Sequence, residues 1–143
     1  MSRAISMYIK SAYAFHEFDS AFADILRLHS PRASEYRMVF VASDSESKEE
    51  ALECYGFCPD LDGVLVPPRG EGDDAVFRAV IETAGDGRVD AVLLVLETQP
   101  VMFCRDGLIF APLNEREFFG QHVLVGLDGD VRYVADLVKA DEL

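Results

Sequence analysis

Hydrophobic and polar positions alternate along this chain with two different periods. Ile5, Met7 and Ile9 recur at every second position, which is the period of a strand with one buried face. From Phe15 onward, apolar residues recur at steps of three and four, which places them on one face of a helix that ends before Pro31. The start of the chain therefore predicts a strand followed by an amphipathic helix.

The alternation of strands and helices continues to residue 97. Short β-rich runs at residues 35–43 and 63–68 predict two strands, and helix-like segments follow each of them. Residues 89–97 predict a further strand, in which six successive apolar positions indicate that both faces are buried. The chain to this point therefore predicts four strands connected by three helices.

Capping residues mark the start of the second helix. Ser43 with Glu46, and Ser47 with Glu50, form two overlapping capping boxes, and Gly56 lies where the helix is expected to end. The helix is therefore predicted to begin near residue 45.

Residues 101–110 predict a hairpin that turns at Asp106-Gly107, because this pair tolerates the positive φ angles of a type I′ turn. Both of its strands are almost wholly apolar. We expect both faces to be buried, since monomers seldom expose large apolar patches. The larger side chains, expected on the core, are those of Val101, Phe103, Leu108 and Phe110. The smaller ones, expected beneath a short helix at residues 114–120 or a second copy, are those of Met102, Cys104, Ile109 and Ala111.

Residues 122–138 predict a second hairpin. A two-residue loop at Asp128-Gly129 would bring apolar and charged positions opposite one another. A three-residue loop ending at Gly129 instead pairs Val123 with Tyr133 and keeps one face apolar, so we favour that register.

The predicted order is β-α-β-α-β-α-β, followed by β-hairpins and a short helix. This order indicates an α/β sandwich with a mixed sheet, which we expect to have a parallel-leaning centre and antiparallel strands at an edge. No repeat, linker or low-complexity tract divides the chain, so residues 1–143 are predicted to form a single globular domain.

The sequence contains no catalytic motif that would name a reaction, and we expect no enzymatic turnover, cofactor or metal. Cys54 and Cys58 have the spacing of half a zinc site, but they lack a second pair, which favours two half-buried thiols near a helix end. Ser45-x-x-Lys48 matches the nucleophile motif of penicillin-binding proteins, but the companion elements are missing. We interpret it as a helix start.

The loop at residues 69–74 precedes a helix, as a phosphate-binding loop would, but its acids would repel a phosphate. Asp73 or Asp74 is instead expected to cap that helix. If the chain were an enzyme, Glu97 and His122 would be the first candidates, because Glu97 follows the most buried strand and α/β sheets hold ligands at strand exits.

Charge is the strongest functional signal. The chain carries 26 acidic and 13 basic residues, for a net charge of −13, which disfavours direct binding to nucleic acid. Residues 41–75 hold ten acids and two bases, a net −8. On a helix beginning near residue 45, four of these acids would share one face, away from an apolar stripe of Leu52 and Tyr55. The ten acids are Asp44, Glu46, Glu49, Glu50, Glu53, Asp60, Asp62, Glu71, Asp73 and Asp74.

Three cysteines, an odd number, and the lack of an apolar leader indicate a reduced, cytoplasmic setting. No apolar run approaches the length of about 20 residues that a membrane span requires. The high ratio of Arg to Lys suggests a bacterial source.

A small, acidic α/β chain without a catalytic motif resembles the immunity proteins that protect bacteria from polymorphic or interbacterial toxins. The resemblance rests on the acidic segment of residues 43–62 and on the character of the whole chain. It implies a stoichiometric inhibitor, monomeric or weakly dimeric, that docks its acids on the basic active-site cleft of a toxin. Tyr55 and Phe57 would then be aromatic anchors of the interface. Acidic phage inhibitors of nucleic-acid-binding defence complexes have the same character.

Two alternatives remain open at this point. The chain could be a small cytosolic enzyme or ligand-binding α/β domain, with its site at the carboxyl ends of the central strands near Ser43, Pro67 and Glu97. It could also be an oligomerising module that uses the hairpin of residues 101–110. A charge run is also commonly just a solvated helix face.

Overall fold

The computed structural model describes residues 4–123, 131–135 and 137. In this part of the chain the strands are β1 (Ile5–Ser11), β2 (Arg37–Ala42), β3 (Leu61–Val66), β4 (Val89–Leu96), β5 (Gln99–Arg105), β6 (Leu108–Pro112) and β7 (Val131–Val134). The helices are α1 (Phe15–His29), α2 (Ser45–Tyr55), α3 (Asp74–Ala84) and the short α4 (Arg116–Phe118). Helical turns also occur at Ala33–Glu35, Leu113–Glu115 and Phe119–Val123.

Within the described residues the strands form one seven-stranded sheet, in the order β2-β3-β1-β4-β5-β6-β7. This mixed sheet with its flanking helices confirms the predicted α/β class. The expected parallel-leaning centre is wrong, because β1, β3, β4 and β5 pair antiparallel and the parallel pair is β6 with β7, at one edge. β1 and β2 do run in the same direction, but β3 lies between them. This interleaving is the split β-α-β, or ferredoxin-like, arrangement, extended here by β5 to β7.

One face of the sheet is covered by α1 and α3. Ile5, Met7 and Ile9 point to this face and are fully buried, as their alternation predicts. The Phe40 ring of β2 lies 5.0 Å from that of Phe18 and 5.8 Å from that of Phe22, both on α1, centroid to centroid. This helix-covered face holds the larger of the two core clusters.

The opposite face of β4, β5 and β6 is also buried, but by smaller elements. The Phe57 ring, which follows α2, lies 5.7 Å from that of Phe103, and Leu137 belongs to the same cluster. Leu93 of β4 packs there too, which explains why β4 is apolar at six successive positions. Burial of this second face therefore comes from single side chains such as Phe57, Leu137 and Tyr55, where a parallel sheet would use whole helices.

The hairpin of residues 101–110 is β5 and β6, and both of its faces are buried, as predicted. Its turn has the expected positive φ angles, 53° at Asp106 and 75° at Gly107. The expected roles of the faces are reversed, since the smaller side chains join the main core and Phe103 and Phe110 fill the smaller cluster. Val101 departs from its predicted face and joins the main core, next to an irregularity in the β4–β5 register.

The predicted pairing of Val123 with Tyr133 is wrong. Val123 ends a helical turn, and its spacing of four from Phe119 lets both side chains reach the core. β7 pairs with β6 instead, and Tyr133 lies beside Ala111. The predicted loop at residues 127–129 lies outside the described residues.

Candidate protein-docking surface

Helix α2 begins and ends at well-defined caps. The Asp44 carboxylate is the N-cap and accepts a hydrogen bond of 2.7 Å from the Ser47 backbone N–H, which lowers the pKa of Asp44. Gly56 closes the helix in the left-handed conformation, at φ 64°. The two predicted capping boxes are therefore wrong, because the side chain of Asp44, between their serines, takes the cap position. The predicted helix itself is confirmed.

The contacts of α2 with the sheet are few. Ala51 is buried, and it is the sole buried residue of this fully described helix. The half-buried Tyr55 ring lies 5.5 Å from that of Tyr8 on β1. Leu52 is 52% exposed, so the predicted stripe of Leu52 and Tyr55 is wrong for Leu52. Ala51 and Tyr55, four residues apart, form the inward side in its place.

The outward side of α2 is a row of carboxylates. At 100° per residue the four glutamates of α2 project away from Ala51, on the solvent side of the helix. All four are exposed, and no basic residue occupies the last turn. We call this set the acidic ridge: Glu46, Glu49, Glu50 and Glu53.

Asp60 and Asp62 lie beside the base of α2 and hold the chain there. Asp60 accepts a hydrogen bond of 3.0 Å from the Ser11 backbone N–H, and the Asp62 carboxylate accepts one of 2.8 Å from the Ser43 hydroxyl. Asp60 is exposed and Asp62 is half-buried. These acids extend the negative surface of the ridge toward the open face of β3.

The remaining three predicted acids lie elsewhere. Glu71, Asp73 and Asp74 follow the far end of β3, which at six residues is about 17 Å long. Glu71 accepts hydrogen bonds from the hydroxyls of Ser30 and Tyr36. Burial is the largest cause of the raised pKa of Tyr36, and the Glu71 carboxylate raises this pKa further. The ten predicted acids therefore divide between the two ends of β3.

Phe57 cannot be the predicted aromatic anchor. Its ring is 0% exposed, and Lys10 Nζ lies 5.0 Å from its centroid. Nothing in the acidic sequence around Phe57 indicates that its ring packs in the second core cluster. Tyr55 remains partly accessible, and burial, with Cys54 and Glu50 nearby, raises its pKa.

Tyr8 is a member of this surface that the sequence did not single out. Burial raises the pKa of Tyr8 to about 12, and the neighbouring Tyr55, Asp62 and Glu50 act in the same direction. Its hydroxyl therefore stays protonated well above neutral pH. The alternation of β1 does place Tyr8 opposite the helix-covered face, but nothing in the sequence indicates that α2 crosses it.

The predicted catalytic candidates do not meet in a recognisable site. Glu97 is exposed, with φ 49°, in the tight turn between β4 and β5. His122 is exposed, and its ring lies 5.4 Å from that of Phe118. His29, which was not among these candidates, has its Nε2 2.9 Å from Glu82 Oε1, without hydrogen-bond alignment. Among the described residues no three metal-binding side chains cluster.

The alternative site at the carboxyl ends of the strands is not a single place. β2 runs antiparallel to β3, and β4 runs antiparallel to β1, which is parallel to β2. Ser43 therefore lies at one end of the sheet, and Pro67 and Glu97 lie at the other. The expectation of one shared site depended on a parallel centre.

Comparison with protein-family models, with curated proteins and with solved structures finds no match to this chain. Among the described residues, none of the helices has the length and apolar character that crossing a bilayer requires.

Proposed function

We propose that this chain is a stoichiometric, immunity-type inhibitor that acts in the bacterial cytoplasm. It inserts the acidic ridge of α2 into the basic active-site cleft of a toxin or another nucleic-acid-binding protein. Asp44, Asp60, Asp62, Tyr8 and Tyr55 would border the contact, whereas Glu71, Asp73 and Asp74, at the other end of β3, would not take part.

The single observation that carries the proposal is the exposure of four glutamates on one side of a lightly anchored helix. From Glu46 to Glu53 the helix rises about 10 Å, which gives about one negative charge per 3.5 Å. One strand of B-DNA has one phosphate per about 3.4 Å along its axis. The ridge therefore presents negative charges to a basic cleft at about the spacing of the phosphates that such a cleft normally binds.

The ridge also lowers the stability of the free monomer. Like charges at i,i+3 and i,i+4 repel, and Glu53 lies at the helix C-terminus, where the macrodipole disfavours an acid. A cationic partner would relieve both effects and would associate faster because of them.

The test compares two triple variants with equal changes in net charge. The ridge variant is Glu46→Lys, Glu49→Lys and Glu50→Lys, and the control is Asp90→Lys, Glu97→Lys and Glu117→Lys, which are exposed acids on other elements. A partner captured from the host by wild-type protein is purified, and its association rate is measured at low and high salt. We expect the ridge variant to lose most of the rate and its salt dependence, and the control to lose little.

Circular dichroism would first establish that both variants fold, since exposed charges contribute little to stability. Equal losses in both variants would mean that net charge alone drives association. An unchanged association rate in the ridge variant would show that the ridge is only a solvated helix face.

A further inference from the structure

Strand β2 lies at the edge of the sheet and lacks the features that normally protect an edge. Among the described residues its strand neighbour is β3, and their six residue pairs run without a register shift. The segment Arg37–Ala42 contains no proline, and Arg37 is its one charged residue. Edge strands usually carry prolines, bulges or several charges that prevent strand addition. In the described part of the chain, the outer edge of β2 is therefore open to pairing.

The side chains beside this edge are apolar and exposed. Val39 and Val41 point to the sheet face opposite α1, where they are 62% and 47% exposed. Val64, the pairing partner of Val39 on β3, is 47% exposed on the same face. Three valines thus form an apolar strip, called here the valine strip, that ends at the open edge.

Charge varies along β2 from one end to the other. Arg37 lies at its start, exposed on the same face as the valines. Beyond its end, the Ser43 hydroxyl is bound to the Asp62 carboxylate, and Asp44 follows. The strand is basic at its start and acidic after its end, so an antiparallel copy of itself is its electrostatic complement.

We propose that β2 pairs antiparallel with β2 of a second copy of this chain and joins two sheets into one. The two-fold axis runs perpendicular to the sheet and passes through position 40, so that paired residue numbers sum to 80. Val39 then lies opposite Val41 of the second copy, and the two valine strips merge. Arg37 lies opposite Ser43 of the second copy, within reach of its Asp62 and Asp44, and the same contact forms twice.

The acidic ridges do not oppose this pairing strongly. In this register position 44 of one copy and position 44 of the other are eight residues apart along the strand, or about 27 Å. That distance exceeds the Debye length of about 8 Å at physiological ionic strength. Both helices α2 lie on the same face of the joined sheet, and the acidic ridges remain accessible. The dimer shares only the bordering residues Asp44 and Asp62 with the proposed inhibitor contact.

Sedimentation velocity over a concentration series tests the dimer with three single variants. Val39→Lys introduces a charge into the merged valine strip, and Arg37→Glu reverses the charge at both symmetric contacts. Each is expected to raise the dimer dissociation constant by about tenfold or more. The matched control is Leu28→Lys on α1, where Leu28 is 75% exposed, and it should leave the constant unchanged. Wild-type protein that stays monomeric throughout, or dimers that are indifferent to both β2 variants, would overturn the proposal.

Cysteine cross-linking tests the register. Residues directly opposite in an antiparallel pair have Cβ atoms about 4.5–5.5 Å apart, close to disulfide range. In a background where Cys54 and Cys58 are serine, a mixture of Val39→Cys and Val41→Cys chains should oxidise to a mixed disulfide. A Val39→Cys chain that instead cross-links faster to itself would shift the axis by one residue, remove the Arg37–Ser43 contact and overturn the proposed register.

Discussion

The Phe40 ring lies directly over Gly63, so that a Cβ atom at position 63 would be 2.4 Å from Phe40 Cε1. The two residues are partners on β2 and β3, and Phe40 is wedged against α1 through Phe18 and Phe22. The absence of a side chain at Gly63 is what lets an aromatic ring fill this part of the core.

Gly63→Ala should therefore destabilise the fold by about 1–3 kcal/mol, because the buried ring has little room to move. Urea denaturation measures the effect. Gly87→Ala is the control, since nothing lies within 4 Å of the added Cβ there, and it should be close to neutral. Equal effects at the two glycines would contradict the packing.

Phe103→Ala should cost about 3–5 kcal/mol, because the ring is fully buried between Phe57 and Phe110. Leu113→Ala provides the comparison, since Leu113 is 56% exposed and its loss should have a small effect. Thermal unfolding of both variants is the measurement, and a wild-type melting temperature for Phe103→Ala would show that the second core cluster is not packed as described.

Tyr8 should make the fold sensitive to alkali. Its folded-state pKa of about 12 lies above the ordinary value of 10.0, so its contribution to stability is complete below about pH 10 and is lost as the pH rises toward 12. Tyr8→Phe should flatten the fall in stability over this range. Ultraviolet absorbance titration should show that Glu50→Gln lowers the pKa of Tyr8, whereas Glu117→Gln leaves it unchanged. Identical titrations for both variants would place Glu50 away from Tyr8.

Asp44 should control the start of α2 in a pH-dependent way. Its lowered pKa means that the cap contributes fully above about pH 4 and is lost as the pH falls through the folded-state value. Asp44→Ala should speed hydrogen exchange at the Ser47 amide at neutral pH, and Asp44→Asn, which retains a capping oxygen, should restore most of the protection. At acid pH the wild-type protein and Asp44→Ala should converge.

Local patterns predicted the elements well because each depends on near neighbours. The spacing of Phe18, Phe22 and Ile25 defines a helix face whatever lies beneath it, and the apolar run of β4 required burial on both sides. Pairing depends on distant residues, and the sequence does not show that β3 inserts between β1 and β2. The parallel-leaning centre failed for that reason.

The candidate surface was partly predictable, because part of it depends only on residues that are close in sequence. The shared side of Glu46, Glu49, Glu50 and Glu53 follows from helical geometry alone. Their separation from Glu71 follows from the direction of β3, and the burial of Phe57 follows from its contact with the Phe103 ring. Neither of these can be deduced from residues close in sequence.

Strand β1 can complete its pairing in the sheet only after most of the chain has been synthesised. Its neighbours are β3 and β4, so its hydrogen bonds are complete once residue 96 is available, 85 residues after β1 ends at residue 11. At a ribosomal rate of about 5–20 residues per second, that delay is about 4–17 s. β3 becomes available at residue 66, but until β4 is complete Ile5, Met7 and Ile9 lack one of the two strands that later flank them, and this stretch of the nascent chain is a place where a chaperone would bind.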